Sequence, residues 1–172
     1  MLRFSLNLGV VIRACQADDL PNLEWYGLFT PHRELIEDAF ARQLRRENLM
    51  LVADMRGFPV GQVWIDLAQK ESEETGIIWA LRVIPFLQGL GIGTRLMNAA
   101  EEALGTLGFS AVELGVEKSE AETCAFYERL GYEQIGTLDE EYSYTTPSGK
   151  FITIVIDQWV YRKLLGPRTE HE

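Results

Sequence analysis

The tightest constraint on this chain lies in VIPFLQGLGIGTRLM, Val83 to Met97. Gly89, Gly91 and Gly93 stand at every second position there, between an apolar run and a run with helical spacing. Glycine costs backbone entropy on folding and is a poor helix former. Something at that point needs bare backbone. Two phosphate-binding patterns fail on spacing. G-x-G-x-x-G would put its third glycine at Thr94 or Leu96. The P-loop needs Lys-Ser or Lys-Thr after its last glycine, and neither follows any of the three. A third pattern, Q-x-x-G-x-G, is met by Gln88, Gly91 and Gly93. It follows an apolar strand and opens a helix, so backbone N–H groups and the helix dipole aim at one anion.

Around this turn, periodicity predicts an alternating chain. Val10–Cys15 reads as a strand, followed by a short helix capped at Asp18-Asp19 and running through Trp25. Thr30-Pro31 opens a second helix, with Leu35, Ile36, Ala39, Phe40 and Leu44 at helical spacing. Leu49–Met55 and Val60–Leu67 form a hairpin about Arg56-Gly57-Phe58-Pro59. After a polar loop at Lys70–Gly76, Ile77–Ile84 is apolar nearly throughout, as in a central strand covered on both faces. The helix after the glycines places Leu96, Met97, Ala100, Ala103, Leu104 and Leu107 on one face and stops at Gly108. Then come a strand at Ala111–Val116, a helix at Ala121–Leu130 stopped by Gly131, a strand at Tyr132–Leu138, a turn at Pro147-Ser148-Gly149-Lys150 and a long strand at Phe151–Tyr161. The order β-α-α-β-β-β-α-β-α-β-β implies an α/β (α+β-like) fold: a mixed sheet with helices on both faces, and parallel pairing within the strand-helix-strand unit from Ile77 to Val116. A length of 172 residues suits one domain, residues 1–172.

Composition narrows the function classes. A net charge of −10 argues against nucleic acid as a partner, because phosphate binding needs a basic face. It is compatible with a cationic substrate. The acidic clusters from Glu71, Glu117 and Glu140 read as solvated loops or helix starts. No apolar run approaches the ~20 residues that span a bilayer. The N-terminal run reads as a strand without a signal-peptide cleavage site, so no membrane partner and a cytoplasmic location are expected. Cys15 and Cys124 cannot make a disulfide framework or a zinc site by themselves and read as buried free thiols. His32 and His171 are far apart, so no metal is expected.

The run LRVIPFLQGLGIGTRLM resembles the acyl-coenzyme A motif of the GNAT superfamily of N-acetyltransferases, in which a central strand ends in V-x-P before Q/R-x-x-G-x-G/A and a helix. CAFYERLGY, Cys124 to Tyr132, is similar to that family's A-x-x-x-Y-x-x-x-G-F/Y segment. The resemblance implies a GNAT fold, a mostly antiparallel sheet with a splayed parallel strand pair, and acetyl-coenzyme A as co-substrate. It implies that Gln88, Gly89, Gly91, Gly93 and Thr94 cradle the pyrophosphate, largely by backbone. Backbone groups of Leu81 and Val83 would line the pantetheine, and the Leu81 amide would polarise the thioester carbonyl. Tyr127 takes the position of the tyrosine that protonates the departing thiolate; on residue pattern alone it reads first as a core side chain.

Two departures stand out. Glu120 replaces the asparagine often found seven residues before the tyrosine, and reads as a helix cap facing solvent. The strand positions that carry a glutamate base in some relatives hold Ile77 and Gly115, which leaves Glu113, Glu117, Glu24, Tyr26 or ordered water to take the amine's proton. The implied activity is direct acetyl transfer to a primary amine, of a small molecule or a peptide, in a ternary complex. The alternative is a catalytically degenerate acyl-coenzyme A sensor or partner-dependent subunit. Tyr142, Tyr144 and Trp159 are candidates for an acceptor wall, equally explained as sheet residues. A homodimer is expected by family analogy alone.

Overall fold

A computed structural model describes residues 7–145 and 149–166. Seven strands form one sheet in the order β1-β2-β3-β4-β5-β7-β6. They are β1 (Val10–Ala14), β2 (Asn48–Met55), β3 (Phe58–Asp66), β4 (Thr75–Val83), β5 (Ala111–Glu117), β6 (Glu133–Thr145) and β7 (Phe151–Leu164). The helices are α1 (Arg33–Leu44), α2 (Ile92–Leu107) and α3 (Ala121–Arg129). Every strand pair is antiparallel except β4 with β5, the unit predicted to be parallel.

That parallel ladder is short. It runs from Thr75 opposite Ala111 to Ile78 opposite Leu114 and then ends, although both strands continue. Beyond it β4 stays with β3 as far as Val83, and β5 stays with β7 as far as Glu117. The cause is local. Trp64 pairs with Ala80 and Ile65 with Ile78, so Trp79 is an extra residue on β4. Such a bulge bends its strand and adds twist. It falls where β4 leaves β5, and the sheet opens there.

Two cores flank the sheet. α2 lays Leu96, Met97, Ala100 and Leu104 against one face, joined by Val63, Ile65, Ile78, Leu114 and Tyr127. Each fully buried aliphatic side chain of this kind contributes roughly 1.5–3 kcal/mol. Gly76 lets α2 come close, since a Cβ there would run into the side chain of Leu104. α1 covers the opposite face, with Ile36 and Ala39 against Met50, Val52, Trp64 and Ala80. Leu35 and Leu44, predicted to face inward with them, are 38% and 72% exposed. The apolar stripe of α1 is therefore narrower than its spacing suggests.

The segment after β1 differs from expectation. It is a 3₁₀ helix, Ala17–Glu24, with Pro21 inside it. Proline has no N–H to give, which disfavours a continuous α-helical ladder. Asp19 does not face solvent: it is 4% exposed and accepts hydrogen bonds from Arg13 Nη1 at 2.7 Å, Arg13 Nη2 at 2.8 Å and the Gln16 N–H at 2.8 Å. Thr30–His32 is a second 3₁₀ turn, leading into α1. β6 and β7 pair as far as Thr145 opposite Phe151. From Phe151 to Asp157, β7 has β6 as its only partner strand among the described residues. The turn predicted at Pro147-Ser148 lies outside them. No helix among the described residues is long and apolar enough to cross a membrane.

Candidate active site

The opening between β4 and β5 continues into a cavity of about 500 Å³. It is lined by Leu81 and Val83 from β4, by Gln88, Gly89, Gly91, Gly93 and Thr94 from the turn into α2, and by Tyr127 from α3. All eight site residues predicted from sequence thus border one space.

Hydrogen-bond alternation dictates what β4 offers to it. Ile84 donates its N–H to Val60 O on β3 at 2.8 Å. In an antiparallel pair every second residue turns its backbone groups to the same neighbour. Arg82 therefore faces β3 as well, opposite Gln62. The amides of Leu81 and Val83 face the other way, toward the edge that β5 has left. Unpaired backbone groups in a sheet interior are unusual. Here they are open to the cavity. The side chain of Gln88 is already engaged: its Nε2 donates to Val83 O at 3.0 Å and ties the glycine turn to the end of β4. Any Gln88 contact with a ligand is left to its backbone.

The glycines now have a physical reason. Gly89 and Gly91 have φ of 76° and 82°, and nothing lies within 4 Å of where a Cβ would be. Conformation, not space, demands glycine there. Gly91 caps α2 without a side-chain hydrogen bond, and the first helical bond runs from the Arg95 N–H to Gly91 O. The N–H groups of Ile92, Gly93 and Thr94 therefore lack intrahelical acceptors and sit at the positive end of the helix dipole, beside the cavity.

Tyr127 is 7% exposed, edge-on to both Phe126 and Tyr132. Its hydroxyl has no hydrogen-bond partner among the described residues, and it is not sealed in, because it borders the cavity. Burial pushes the phenol up to about 12. It is a protonated donor at neutral pH with nothing yet to donate to.

The groups considered as base lie elsewhere. Glu113 is 4% exposed, and its two oxygens accept from Lys70 Nζ at 2.6 Å and Arg162 Nη1 at 2.7 Å. It lies opposite Ile77, within the closed part of the ladder. Glu24 accepts from Arg33 Nη2 at 2.9 Å and Thr30 Oγ1 at 2.6 Å, and the guanidinium holds its carboxyl down to about 2. Tyr26 is 88% exposed and stacks on Phe58. Glu117 is exposed at the end of β5. Beside it Gly115 makes room for the Gln158 side chain, which would collide with any Cβ at that position. None of these borders the cavity. Glu120 is the exposed N-cap residue of α3, as expected, but its side chain bonds no backbone N–H there. Cys15 is buried, and burial raises its thiol to about 12; Cys124, expected to be buried, is only half-buried. Trp159 is a partly buried sheet residue under Lys118, and the Tyr142 and Tyr144 side chains fall outside the described residues. Among the described residues, no group of three His, Cys, Asp or Glu side chains could hold a metal ion.

A model of the acetyltransferase (GNAT) family matches residues 16–132. The chain belongs to that family. It is 30% identical over 90 residues to a mycothiol acetyltransferase of Propionibacterium freudenreichii subsp. shermanii, an alignment covering 52% of this chain and 29% of that one. It is 37% identical over 93 residues to an uncharacterized N-acetyltransferase of Methanocaldococcus jannaschii, covering 52% and 41%. The match thus spans less than half the length of either curated relative. Among solved structures, PaiA N-acetyltransferase of Thermoplasma acidophilum in complex with coenzyme A superposes with a TM-score of 0.64 at 16% identity, covering 91% of this chain and 99% of that one. At that identity the likeness is one of fold. The GNAT sheet, with its single parallel pair between β4 and β5, is the one observed here.

Sequence reasoning missed Phe126 and Thr123, which also line the cavity. Their signal was available in Tyr127 itself: once that residue faces a ligand, its neighbours one and four positions earlier on the same short helix come close to it.

Proposed function

We propose that the chain transfers an acetyl group from acetyl-coenzyme A to a primary amine, within one domain and by direct attack in a ternary complex. The observation that carries this reading is the open edge of β4. Two backbone amides, Leu81 and Val83, point into a cavity that ends on the unbonded N–H groups of α2. In one stretch it offers donors for a thioester carbonyl and for a pyrophosphate.

The steps follow from the residues. The N–H groups of the Gly89–Thr94 turn hold the pyrophosphate. The Leu81 amide donates to the thioester oxygen, where negative charge grows as the amine attacks; fixed donors of this kind contribute several kcal/mol. A C–N bond forms, the C–S bond breaks, and the amine gives up a proton. Tyr127 donates its hydroxyl to the departing sulfur. A phenol near 12 is a weaker acid than a coenzyme A thiol, so full transfer of its proton is uphill by roughly 3 pKa units. The role of Tyr127 is then to stabilise the nascent thiolate by a hydrogen bond, with the amine's proton restoring neutrality. None of the four candidate side chains borders the cavity, so water entering through it carries that proton to the thiolate. Direct attack fits the cysteines, since the thiol of Cys15 is buried and held protonated.

The test is thiol release from acetyl-coenzyme A over a panel of amines and peptide N-termini, with calorimetry for donor binding. Amine-dependent thiol release supports the reading. Tight donor binding with no thiol release on any amine overturns it in favour of an acyl-coenzyme A sensor.

A further inference from the structure

The face of β4 turned away from the donor cavity borders a second pocket, of about 100 Å³, among Phe29, His32, Gln62, Trp64, Trp79 and Arg82. It is too small for a second coenzyme. Two of its residues bring side-chain donors to it. Gln62 and Arg82 stand directly opposite each other in the β3–β4 register, so their side chains leave the same face. Gln62 is 1% exposed. The Trp64 indole nitrogen can only donate, so Gln62 Oε1 accepts from it, at 3.0 Å. This leaves Gln62 Nε2 with two donor hydrogens and no acceptor among the described residues. A buried donor without an acceptor is costly. Among the described residues no fully enclosed side-chain nitrogen or oxygen lacks a partner, so the Gln62 amide must reach open space, and the pocket is that space.

Arg82 tells the same story with a charge. Its guanidinium carbon lies 4.4 Å from the centre of the Phe29 ring. Arg13, Arg33, Arg42, Arg45 and Arg162 each hold a carboxylate. Arg82 is exposed and makes no ion pair among the described residues; Arg46, Arg56, Arg95 and Arg129 make none either, but of these five it is Arg82 that borders this pocket. The guanidinium lies over the Phe29 ring and leaves its N–H fork free. That fork matches a carboxylate in two parallel hydrogen bonds.

We propose that this pocket binds a carboxylate of the acceptor, so that the acceptors are compact amino acids and not polyamines. Arg82, open to solvent, and the buried Gln62 amide supply the donors, and the rings of Phe29, Trp64 and Trp79 wall the pocket. The inference rests on the acetyl-transfer reading above and adds the acceptor class to it. Geometry links the two sites. Arg82 also borders the donor cavity and is flanked by Leu81 and Val83, whose amides face the cleft on the other side of the strand. An anion held by Arg82 places its own amine a few bonds away, beside the thioester.

Matched amines that differ only in the carboxylate test this, for example 4-aminobutyrate and β-alanine against their carboxamides. In the wild-type protein, kcat/KM for thiol release is expected to be at least tenfold higher for the carboxylate member. Arg82→Met cuts that ratio by tenfold or more. Gln62→Glu does the same while keeping an acceptor for Trp64, because it places a competing carboxylate against Arg82. A ratio near one in the wild type, spermidine as the better acceptor, or a ratio unmoved in both variants would overturn the assignment. A second readout needs no turnover. In ¹⁵N spectra the indole N–H signals of Trp64 and Trp79 should shift on titration with 4-aminobutyrate, and not in Arg82→Met. Indole shifts without thiol release on any amine would sink the acetyl-transfer reading and keep the pocket. Thiol release that ignores the carboxylate, with no indole shift, would do the reverse.

Discussion

In the reaction proposed above, β4 serves two sites in two different ways. At Leu81 and Val83 it offers backbone amides to the donor cavity; at Arg82, between them, it offers a side chain to the pocket on the other face. A backbone donor is indifferent to side-chain identity but demanding in conformation. A side-chain donor is the reverse. The donor half of the molecule is therefore governed by φ angles and strand register, and the acceptor half by which residues project from a face. The two halves should fail differently when altered.

The largest effect is expected where conformation is essential. Gly91→Val forces a β-branched residue to φ 82°, at a strain of about 2 kcal/mol. If the first turn of α2 must shift to relieve it, acetyl-coenzyme A affinity should fall by roughly tenfold to thirtyfold in calorimetry. The KM for the amine, measured at saturating donor, should move far less. Equal losses on both substrates would mean that the two sites are not separable.

The reciprocal experiment disturbs the acceptor side. The 3₁₀ segment that leads to Phe29 hangs from β1 by the half-buried Arg13–Asp19 pair. Asp54 still holds Arg13 when Asp19 is neutralised, so the loss is about 1–2 kcal/mol, and in a chain of this size each kcal/mol lowers Tm by roughly 2–4 °C. Asp19→Asn should lower Tm by several degrees at pH 7 and raise the amine KM more than the donor KM. Its pH dependence has a definite sign. The Arg13 guanidinium holds the Asp19 carboxyl below its ordinary value of about 3.9, so the stabilisation is present above that value and fades as pH falls through the folded one. The Tm gap between wild type and variant should therefore be full at pH 7 and shrink below about pH 4.

Tyr127→Phe probes the chemistry between the two sites. Loss of one hydrogen bond to a developing charge should cut kcat roughly tenfold, with donor affinity nearly unchanged. The pH profile is the sharper readout. A phenol donates only below its pKa, and burial has moved this one to about 12. The wild-type rate should rise as the amine loses its proton and show no descending limb near the ordinary phenol value of about 10. A limb at that value, absent in Tyr127→Phe, would show a Tyr127 in contact with water.

The contrast between the halves also explains what could be read in advance. Gly89 and Gly91 were visible as a pattern because only glycine adopts their φ without strain. The parallel pair and the covered central strand were visible because Ile77–Ile84 is apolar nearly throughout. Asp19 was legible as a helix cap, and its carboxylate does accept from the Gln16 N–H; its burial was not, because its cation, Arg13, comes from β1. Glu113 could not be told from a base, because Lys70 and Arg162 lie 43 and 49 residues away. Arg82 had a faint signal, a lone charge within an apolar strand. Its meaning needed Gln62, 20 positions earlier, and that partnership is made by the register of β3 on β4. Local conformational demands are written in consecutive residues; pairings across a sheet are not.

The smallest predicted effect tests the hinge of this comparison. Gln88 sits in the donor turn, yet its side chain touches backbone and not the cavity's centre: Nε2 closes on Val83 O at the end of β4. That carbonyl would otherwise face the opening unpaired. A single exposed hydrogen bond contributes about 1 kcal/mol at most. Gln88→Ala should thus raise the acetyl-coenzyme A KM by threefold to fivefold and leave the carboxylate-to-carboxamide ratio for acceptors unchanged. If that ratio moved with it, the turn and Arg82 would be coupled through Val83, and β4 would act as one device with two faces instead of two sites that share a strand.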